Sequence, residues 1–137
     1  MKLKSLFITF ALCFVANVTM ASDWLELSKE MSIDIDHLTY EGKDVATCWI
    51  RYNNNKPKYL SNKKAVYQSG KFFYRINHLS RTTETLDEIL YSGRNGSGDV
   101  VWSYHNKYAE AESIVPDTNG EILWQFLFKS SEQKGTD

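Results

Sequence analysis

The stretch Ile89-Leu90-Tyr91-Ser92-Gly93-Arg94-Asn95-Gly96-Ser97-Gly98-Asp99-Val100-Val101-Trp102 decides the fold. Apolar and aromatic residues enter and leave a segment with three glycines, a pattern typical of two strands joined by a turn. A phosphate-binding loop also uses glycines, but it leads into a helix whose free amides face the anion. Here a strand pattern follows the glycines, and the loop has no lysine. We therefore predict a hairpin and no nucleotide site.

Strand patterns continue on both sides of this hairpin. Residues 24–28 and 31–35 alternate apolar and polar side chains, which predicts a first hairpin. Residues 45–52, 72–78 and 82–90 are rich in β-branched and aromatic residues, which favour strands. Between them, Pro57 predicts a loop over residues 53–58, and residues 68–70 predict a turn.

The C-terminal segment changes to a helical period. Ile122, Leu123, Phe126 and Leu127 recur at helical spacing, and Thr118 with Glu121 matches a capping box. We therefore predict an α+β domain: a small antiparallel β-sheet with one C-terminal α-helix packed on one face.

The N-terminus resembles an export signal. A basic start at Lys2 and Lys4 precedes an apolar run, residues 6–18, that is too short to span a bilayer comfortably. Small residues at Thr19 and Ala21 predict cleavage after Ala21. We thus divide the chain into a signal peptide, residues 1–21, one domain, residues 22–129, and a polar, disordered tail, residues 130–137. The mature protein is expected in the periplasm or at the cell surface.

Charge is unevenly distributed along the chain. The whole chain has a net charge of -1, which gives no reason to expect nucleic acid as a partner. However, residues 45–83 contain eight basic residues and no acidic one. These side chains either form solvated faces or a surface that meets an acidic, glycan-bearing or matrix protein. The candidate partner-binding residues are Lys56, Lys58, Lys63, Lys64, Arg75 and Arg81.

Cysteine content excludes a disulfide within the mature chain. Cys13 lies in the predicted signal peptide, so only Cys48 remains after cleavage. Cys48 sits in an apolar run beside Trp49, which favours the role of a small buried hydrophobic residue. Pairing with a second chain is the alternative.

No pattern of catalytic or metal-binding residues is present in the sequence. The three histidines, His37, His78 and His105, are far apart and lack metal-ligand spacing, and no Gly-x-Ser-x-Gly elbow occurs. We predict a non-enzymatic protein without a cofactor or metal. A hydrolase would require a serine hydroxyl within hydrogen-bond reach of one of these histidines.

The order of several motifs resembles the surface-adhesin protein E family of Gram-negative bacteria. The matching segments are Ile33-Asp34-Ile35-Asp36, the Trp49-bearing strand, Tyr91-Ser92-Gly93 through Gly98-Asp99-Val100-Val101, and Ile114-Val115-Pro116 leading to Trp124. The resemblance covers nearly the whole mature chain. It implies an antiparallel sheet with one helix, a surface or periplasmic location, and binding of host matrix proteins, as in the best-known member.

The chain also departs from the resembled family. The family usually carries one cysteine after a Tyr-x-Phe-Asp strand and one at the helix end, which resemble a disulfide pair. This chain has His78 and Phe128 at those places, and Ala111 where the family tends to have tryptophan. Packing of Trp124, Phe126 and Phe128 is therefore expected to hold the helix. The family's matrix-binding segment has no recognisable match, so no binding residue is carried over. The alternative function is that of a periplasmic accessory or inhibitor protein with a bacterial partner.

Overall fold

The computed structural model of the chain describes residues 22–61 and 64–132. The predicted signal peptide, residues 1–21, and the candidate residue Lys63 lie outside the described residues. Residues 133–137 of the predicted tail also lie outside them. The helix includes residues 130–132, so it extends past the domain boundary predicted at residue 129.

The described chain forms one antiparallel sheet and one α-helix, as predicted. In chain order the elements are β1 (Trp24–Glu26), β2 (Met31–Asp34), β3 (Thr39–Glu41), β4 (Val45–Tyr59), β5 (Val66–Asn77), β6 (Thr82–Tyr91), β7 (Val100–His105), β8 (Glu112–Ser113) and α1 (Asn119–Glu132). The main sheet order is β1-β2-β4-β5-β6-β7, with β3 paired to β4 and β8 paired to β6. The predicted first hairpin is β1–β2, in which Trp24 lies opposite Asp34.

The glycine-rich stretch joins β6 and β7, as predicted for a hairpin. Leu90 lies opposite Trp102, and Tyr91 lies opposite Val100. Gly96 and Gly98 have φ angles of 70° and 77°, which glycine adopts without steric cost. The turn also binds neighbouring strands, because the Ser69 hydroxyl donates to the Gly93 carbonyl at 2.6 Å and accepts from the Gly96 amide at 2.9 Å.

The predicted loop over residues 53–58 is wrong, because β4 continues through it to Tyr59. The β4–β5 register shifts between Asn53 and Lys58, so Pro57 lies where no ladder partner is required. Asn53 is anchored instead to the glycine turn, since the Asn95 amide donates to Asn53 Oδ1 at 2.8 Å. The turn predicted at residues 68–70 is likewise wrong, because β5 runs unbroken through it.

The core lies between α1 and one face of the sheet, here called the helix side. Its buried residues are Met31, Ile33, Ala46, Cys48, Ile50, Ile76, Leu123, Leu127 and Phe128. The helical face was predicted only in part: Leu123 and Leu127 are buried, whereas Ile122 and Phe126 are 39% and 38% exposed. Apolar residues cover a wide arc of α1, and the half of it that includes Trp124 and Phe128 faces the sheet.

His78 and Phe128 occupy the places where the resembled family carries cysteines, and their rings stack. The ring centroids are 4.8 Å apart with an interplanar angle of 18°. Trp124 adds a second contact, because its Nε1 donates to the His78 carbonyl at 3.3 Å. Trp124 and Phe128 therefore hold the helix, as predicted, but the half-exposed Phe126 contributes less. A ring stack replaces the covalent link that the resemblance implies.

The start of α1 differs from the predicted capping box. Glu121 Oε2 accepts from the Asp117 amide at 2.6 Å, which is the expected carboxylate contact moved by one residue. The Thr118 carbonyl accepts from the Glu121 and Ile122 amides, but its hydroxyl donates to the Val115 carbonyl at 2.6 Å. Asp117 has a positive φ of 60°, so the chain turns sharply just before the helix.

Candidate functional site

The five candidate basic residues that the structure describes separate into two groups. Lys56 and Lys58 lie near the far end of β4, and Lys64 lies in the adjoining connection to β5. All three are exposed, and Tyr59 beside them is 70% exposed. These residues form the β4–β5 tip, a name used below for residues 56–59 and 64.

Arg75 and Arg81 lie toward the opposite end of the sheet and are already paired. Arg75 Nη1 is 3.2 Å from Glu84 Oε2 on the neighbouring strand. The Arg81 guanidinium lies 4.3 Å from the centre of the Trp124 ring and reaches Glu121 Oε1 at 3.8 Å. The sheet therefore does not bring the five described candidates into one patch. Lys56, Lys58 and Lys64 share one end of the sheet, and the two arginines lie toward the other.

A groove on the other face of the sheet was not predicted. This face, here called the open face, has no helix against it in the described residues. The open-face groove has a volume of about 290 Å³ and is lined by Ser22, Trp24, Asp34, His37, Trp49, Lys71, Ile89 and Tyr91. Its side chains come from β1, β2, β4, β5 and β6, because alternate residues of each strand point to the same face.

Two cations meet aromatic rings at this groove. The Arg51 guanidinium lies 4.6 Å from the centre of the Trp24 ring. Lys71 Nζ lies 5.6 Å from the same centre and 5.3 Å from that of Tyr91. Trp49 stacks on Phe73 of the next strand, with centroids 5.1 Å apart. The groove therefore combines aromatic walls with one lysine, and a guanidinium lies against the Trp24 ring at its border.

The acid that lines the groove is bound within its own turn. Asp34 Oδ2 is 2.7 Å from His37 Nδ1. Asp34 Oδ1 accepts from the amides of Asp36 and His37 at 3.1 and 3.3 Å. Asp34 therefore caps the β2–β3 turn, and its carboxylate does not pair with Lys71. Burial lowers the pKa of Arg51, although this guanidinium stays charged at physiological pH.

A second groove lies on the helix side, beyond the part of the sheet that α1 covers. Its volume is about 300 Å³, and its walls include Tyr52, Tyr67, Phe72 and Leu90. Glu30, Glu88 and Lys58 supply its charged groups. Near it, Trp102 and Tyr104 stack along β7 and are 47% and 51% exposed. The helix-side groove thus has two carboxylates and one lysine in its lining, whereas the open-face groove has one of each.

Each of the three histidines has a ring nitrogen close to an aspartate carboxylate. His37 pairs with Asp34, and His105 Nδ1 lies 2.6 Å from Asp87 Oδ1. His78 Nδ1 lies 3.3 Å from Asp44 Oδ1. Within the described residues, no three His, Cys, Asp or Glu side chains are grouped closely enough to hold a metal ion. The described hydrogen bonds of His37 and His105 include no serine hydroxyl.

Cys48 is a buried core residue, as predicted. Its exposed fraction is 0%, and burial raises the pKa of its thiol to about 12. A thiol that is neutral at physiological pH and enclosed by the core is unreactive. Pairing with a second chain would require the core to open.

The sequence indicates part of this arrangement on the open face, because the spacing within each strand is visible in it. Trp49 and Arg51 are two residues apart, as are Lys71 and Phe73, so each pair lies on one face of its strand. The sequence does not show that β4 and β5 pair with Arg51 opposite Lys71. That register, which creates the groove, becomes visible only in the structure.

In the part of the chain that the structure describes, no helix is both long and apolar enough to cross a bilayer.

Comparisons with known proteins agree with the geometry of the fold. The family model of surface-adhesin protein E matches residues 24–127. The chain is similar to crystal form II of Haemophilus influenzae protein E, with a TM-score of 0.59, 18% identity, and coverage of 78% of this chain and 87% of that chain. It is also similar to protein E from non-typeable Haemophilus influenzae, with a TM-score of 0.59, 17% identity, and coverage of 82% and 80%. The structural similarity shows that these proteins share a fold with this chain. No curated protein matches the chain.

Proposed function

Because the chain belongs to the surface-adhesin protein E family, with residues 24–127 matched, we propose that it is an exported protein that binds host matrix or cell-surface proteins. The family match is the observation that carries this proposal. It supports a binding protein and gives no reason to assign a catalytic step. The signal peptide predicted in residues 1–21 is consistent with export but lies outside the described residues.

The β4–β5 tip is the surface we assign to the protein partner. Lys56 and Lys58 are exposed, and Tyr59 presents an amphipathic ring beside them. Tyrosine next to basic residues is a common composition at protein interfaces. By contrast, Arg75 and Arg81 are engaged by Glu84 and Glu121 and are less available to a partner.

Charge reversal at the tip tests this assignment. The variant Lys56→Glu/Lys58→Glu should reduce binding to immobilised matrix proteins by about tenfold or more, and added salt should weaken the wild-type interaction. The matched control is Lys43→Glu/Lys107→Glu, which makes the same change in net charge at two other exposed positions. Lys63→Glu/Lys64→Glu reverses the other two candidate lysines. Equal binding by the tip and control variants would reject the tip.

Protease treatment of intact cells distinguishes surface attachment from the alternative function. A surface adhesin is cleaved when protease is added outside the cell. A periplasmic accessory or inhibitor protein is protected until the outer membrane is opened. Protection, together with crosslinking to an endogenous envelope protein, would replace host binding with the periplasmic function.

A further inference from the structure

Two like charges lie at adjacent positions on the open face, Lys71 in the lining of the groove and Arg51 beside it on the Trp24 ring. Arg51 on β4 lies directly opposite Lys71 on β5, and both side chains point to the open face. Like charges directly opposite each other on neighbouring strands destabilise a sheet. In the described residues, neither side chain forms an ion pair with a carboxylate. Folding therefore brings two cations together at this position without neutralising either one internally.

The surroundings of Arg51 also leave a polar atom unsatisfied. Its Nε atom is buried and has no hydrogen-bond partner in the described residues. Buried donors without partners are rare in folded proteins because they lose hydration without compensation. The stacking on Trp24 places the guanidinium at the border of the groove, but stability alone does not explain a half-buried Arg, with its Nε atom unsatisfied, beside an unpaired Lys.

The walls of the groove define a ligand with a flat apolar surface. Trp24, Trp49 and Tyr91 line it, together with the polar residues Ser22, His37 and Asp34, whose carboxylate is already bound within the β2–β3 turn. His37 uses Nδ1 for Asp34, and its second ring nitrogen remains for a ligand. A volume of about 290 Å³ is at the small end of ligand sites, which suits one small unit rather than an extended chain.

A sugar that carries a carboxylate has both the flat apolar surface and the negative charge that the groove requires. One face of a pyranose ring carries C–H groups that pack on tryptophan or tyrosine, and its hydroxyls need polar partners. Its carboxylate matches an Arg and a Lys that lack an acidic partner. We propose that the open-face groove binds the acidic sugar of a glycan, with Lys71 and Arg51 holding its carboxylate.

Other anionic ligands fit the groove less well. Nucleic acid is disfavoured because the whole chain has a net charge of -1 and the basic patch is confined to two residues. An acidic peptide would supply the carboxylate but has no rigid ring to cover the aromatic walls. The sugar site is also separate from the β4–β5 tip, so this inference does not depend on the tip being a protein contact.

Titration of the mature exported chain with single sugars tests the proposal. Glucuronate and N-acetylneuraminate are the acidic probes, glucose is the neutral probe, and a tripeptide containing glutamate represents acidic peptides. The indole N–H resonances of Trp24 and Trp49 report occupancy. We expect an acidic sugar to bind with a Kd of about 1 mM and glucose to bind about tenfold more weakly or not at all.

Matched variants locate the carboxylate contact. Lys71→Gln and Arg51→Gln should each weaken acidic-sugar binding by about tenfold. Arg75→Gln is the control, because it removes one positive charge from the same face and the same strand as Lys71. If Arg51→Gln does not fold, Lys71→Gln alone decides the outcome. Lys56→Glu/Lys58→Glu should retain sugar binding even if it loses the protein partner.

Four results would overturn the proposal. They are no change in the Trp24 or Trp49 resonances with an acidic sugar at about 10 mM, equal affinity for glucose, wild-type affinity in Lys71→Gln, and tighter binding of the tripeptide. The last result would assign the groove to an acidic peptide instead.

Discussion

The two faces of the sheet are built from the same strands but carry different chemistry. On β4, Cys48 and Ile50 point to the helix side and are fully buried, whereas Trp49 and Arg51 point to the open face and are half-buried. The helix side stabilises the fold because its apolar side chains are removed from water. The open face keeps aromatic rings and cations at the surface, where they add less to stability and remain available to a ligand. Alternate residues of β4 thus belong to the core and to the open face.

Truncation of one phenylalanine on each side is the strongest test of this comparison. Phe128 is 1% exposed, so Phe128→Ala should lower the free energy of unfolding by about 3–5 kcal/mol. Phe73 stacks on Trp49 on the half-buried open face, so Phe73→Ala should cost about 1–2 kcal/mol. Urea denaturation of both variants measures the difference. Equal losses would show that the open face is also part of the stabilising core.

Phe128 has a further role that raises the expected cost of its removal. Its ring contacts His78, Trp124 and Tyr40, so it joins the helix to the end of β5 and to β3. Tyr40 adds a hydrogen bond from its hydroxyl to the Leu127 carbonyl at 2.9 Å. The resembled family is expected to fasten this end of the helix with a disulfide. Here ring packing has to do so without a covalent bond.

High pH should destabilise the helix side selectively. Burial raises the pKa of Cys48 from 9.0 to about 12 and also raises the pKa of Tyr74. In the unfolded chain these groups ionise at their ordinary pKa values, while the folded chain keeps them neutral. The stabilisation they provide is therefore complete below pH 9 and is lost as the pH rises toward 12. For Cys48 the loss reaches roughly 4 kcal/mol.

Thermal unfolding from pH 8 to pH 11 measures this effect. Cys48→Ala should be less stable than wild type at pH 8, because it leaves a small cavity, but its stability should fall less steeply with pH. Part of the fall in stability with pH is expected in both proteins, because both retain Tyr74. A pH dependence identical in the variant and the wild type would show that the Cys48 thiol ionises in the folded state.

Local sequence patterns predicted the elements that depend on near neighbours. The glycine turn, the strands around it and the helix were all predictable, because turn residues and periodicity report local conformation. The prediction failed at Pro57, where proline was taken to end β4. A register shift supplied a position without a ladder bond, and contacts from Asn95, far along the chain, anchored Asn53.

The functional residues were less predictable for the same physical reason. A count of charges along the chain grouped Arg75 and Arg81 with the tip lysines, although pairing of the strands places them far apart. It also gave Arg51 and Lys71 no special status. Their importance comes from the β4–β5 register, which depends on contacts between distant segments.

The smallest predicted effect separates stability from binding on the open face. Lys71 faces Arg51 directly, so Lys71→Gln removes a like-charge repulsion and should raise the free energy of unfolding by about 0.2–1 kcal/mol. Arg75→Gln should do the opposite, because Arg75 is paired with Glu84 at 3.2 Å. Urea denaturation at low salt measures both changes. Stabilisation by Lys71→Gln together with weaker sugar binding would mean that the fold retains this lysine at a cost in stability, as expected for a ligand contact. Destabilisation by Lys71→Gln would instead show that its contacts with Trp24 and Tyr91 outweigh the repulsion, and Lys71 would then be a structural residue of the open face.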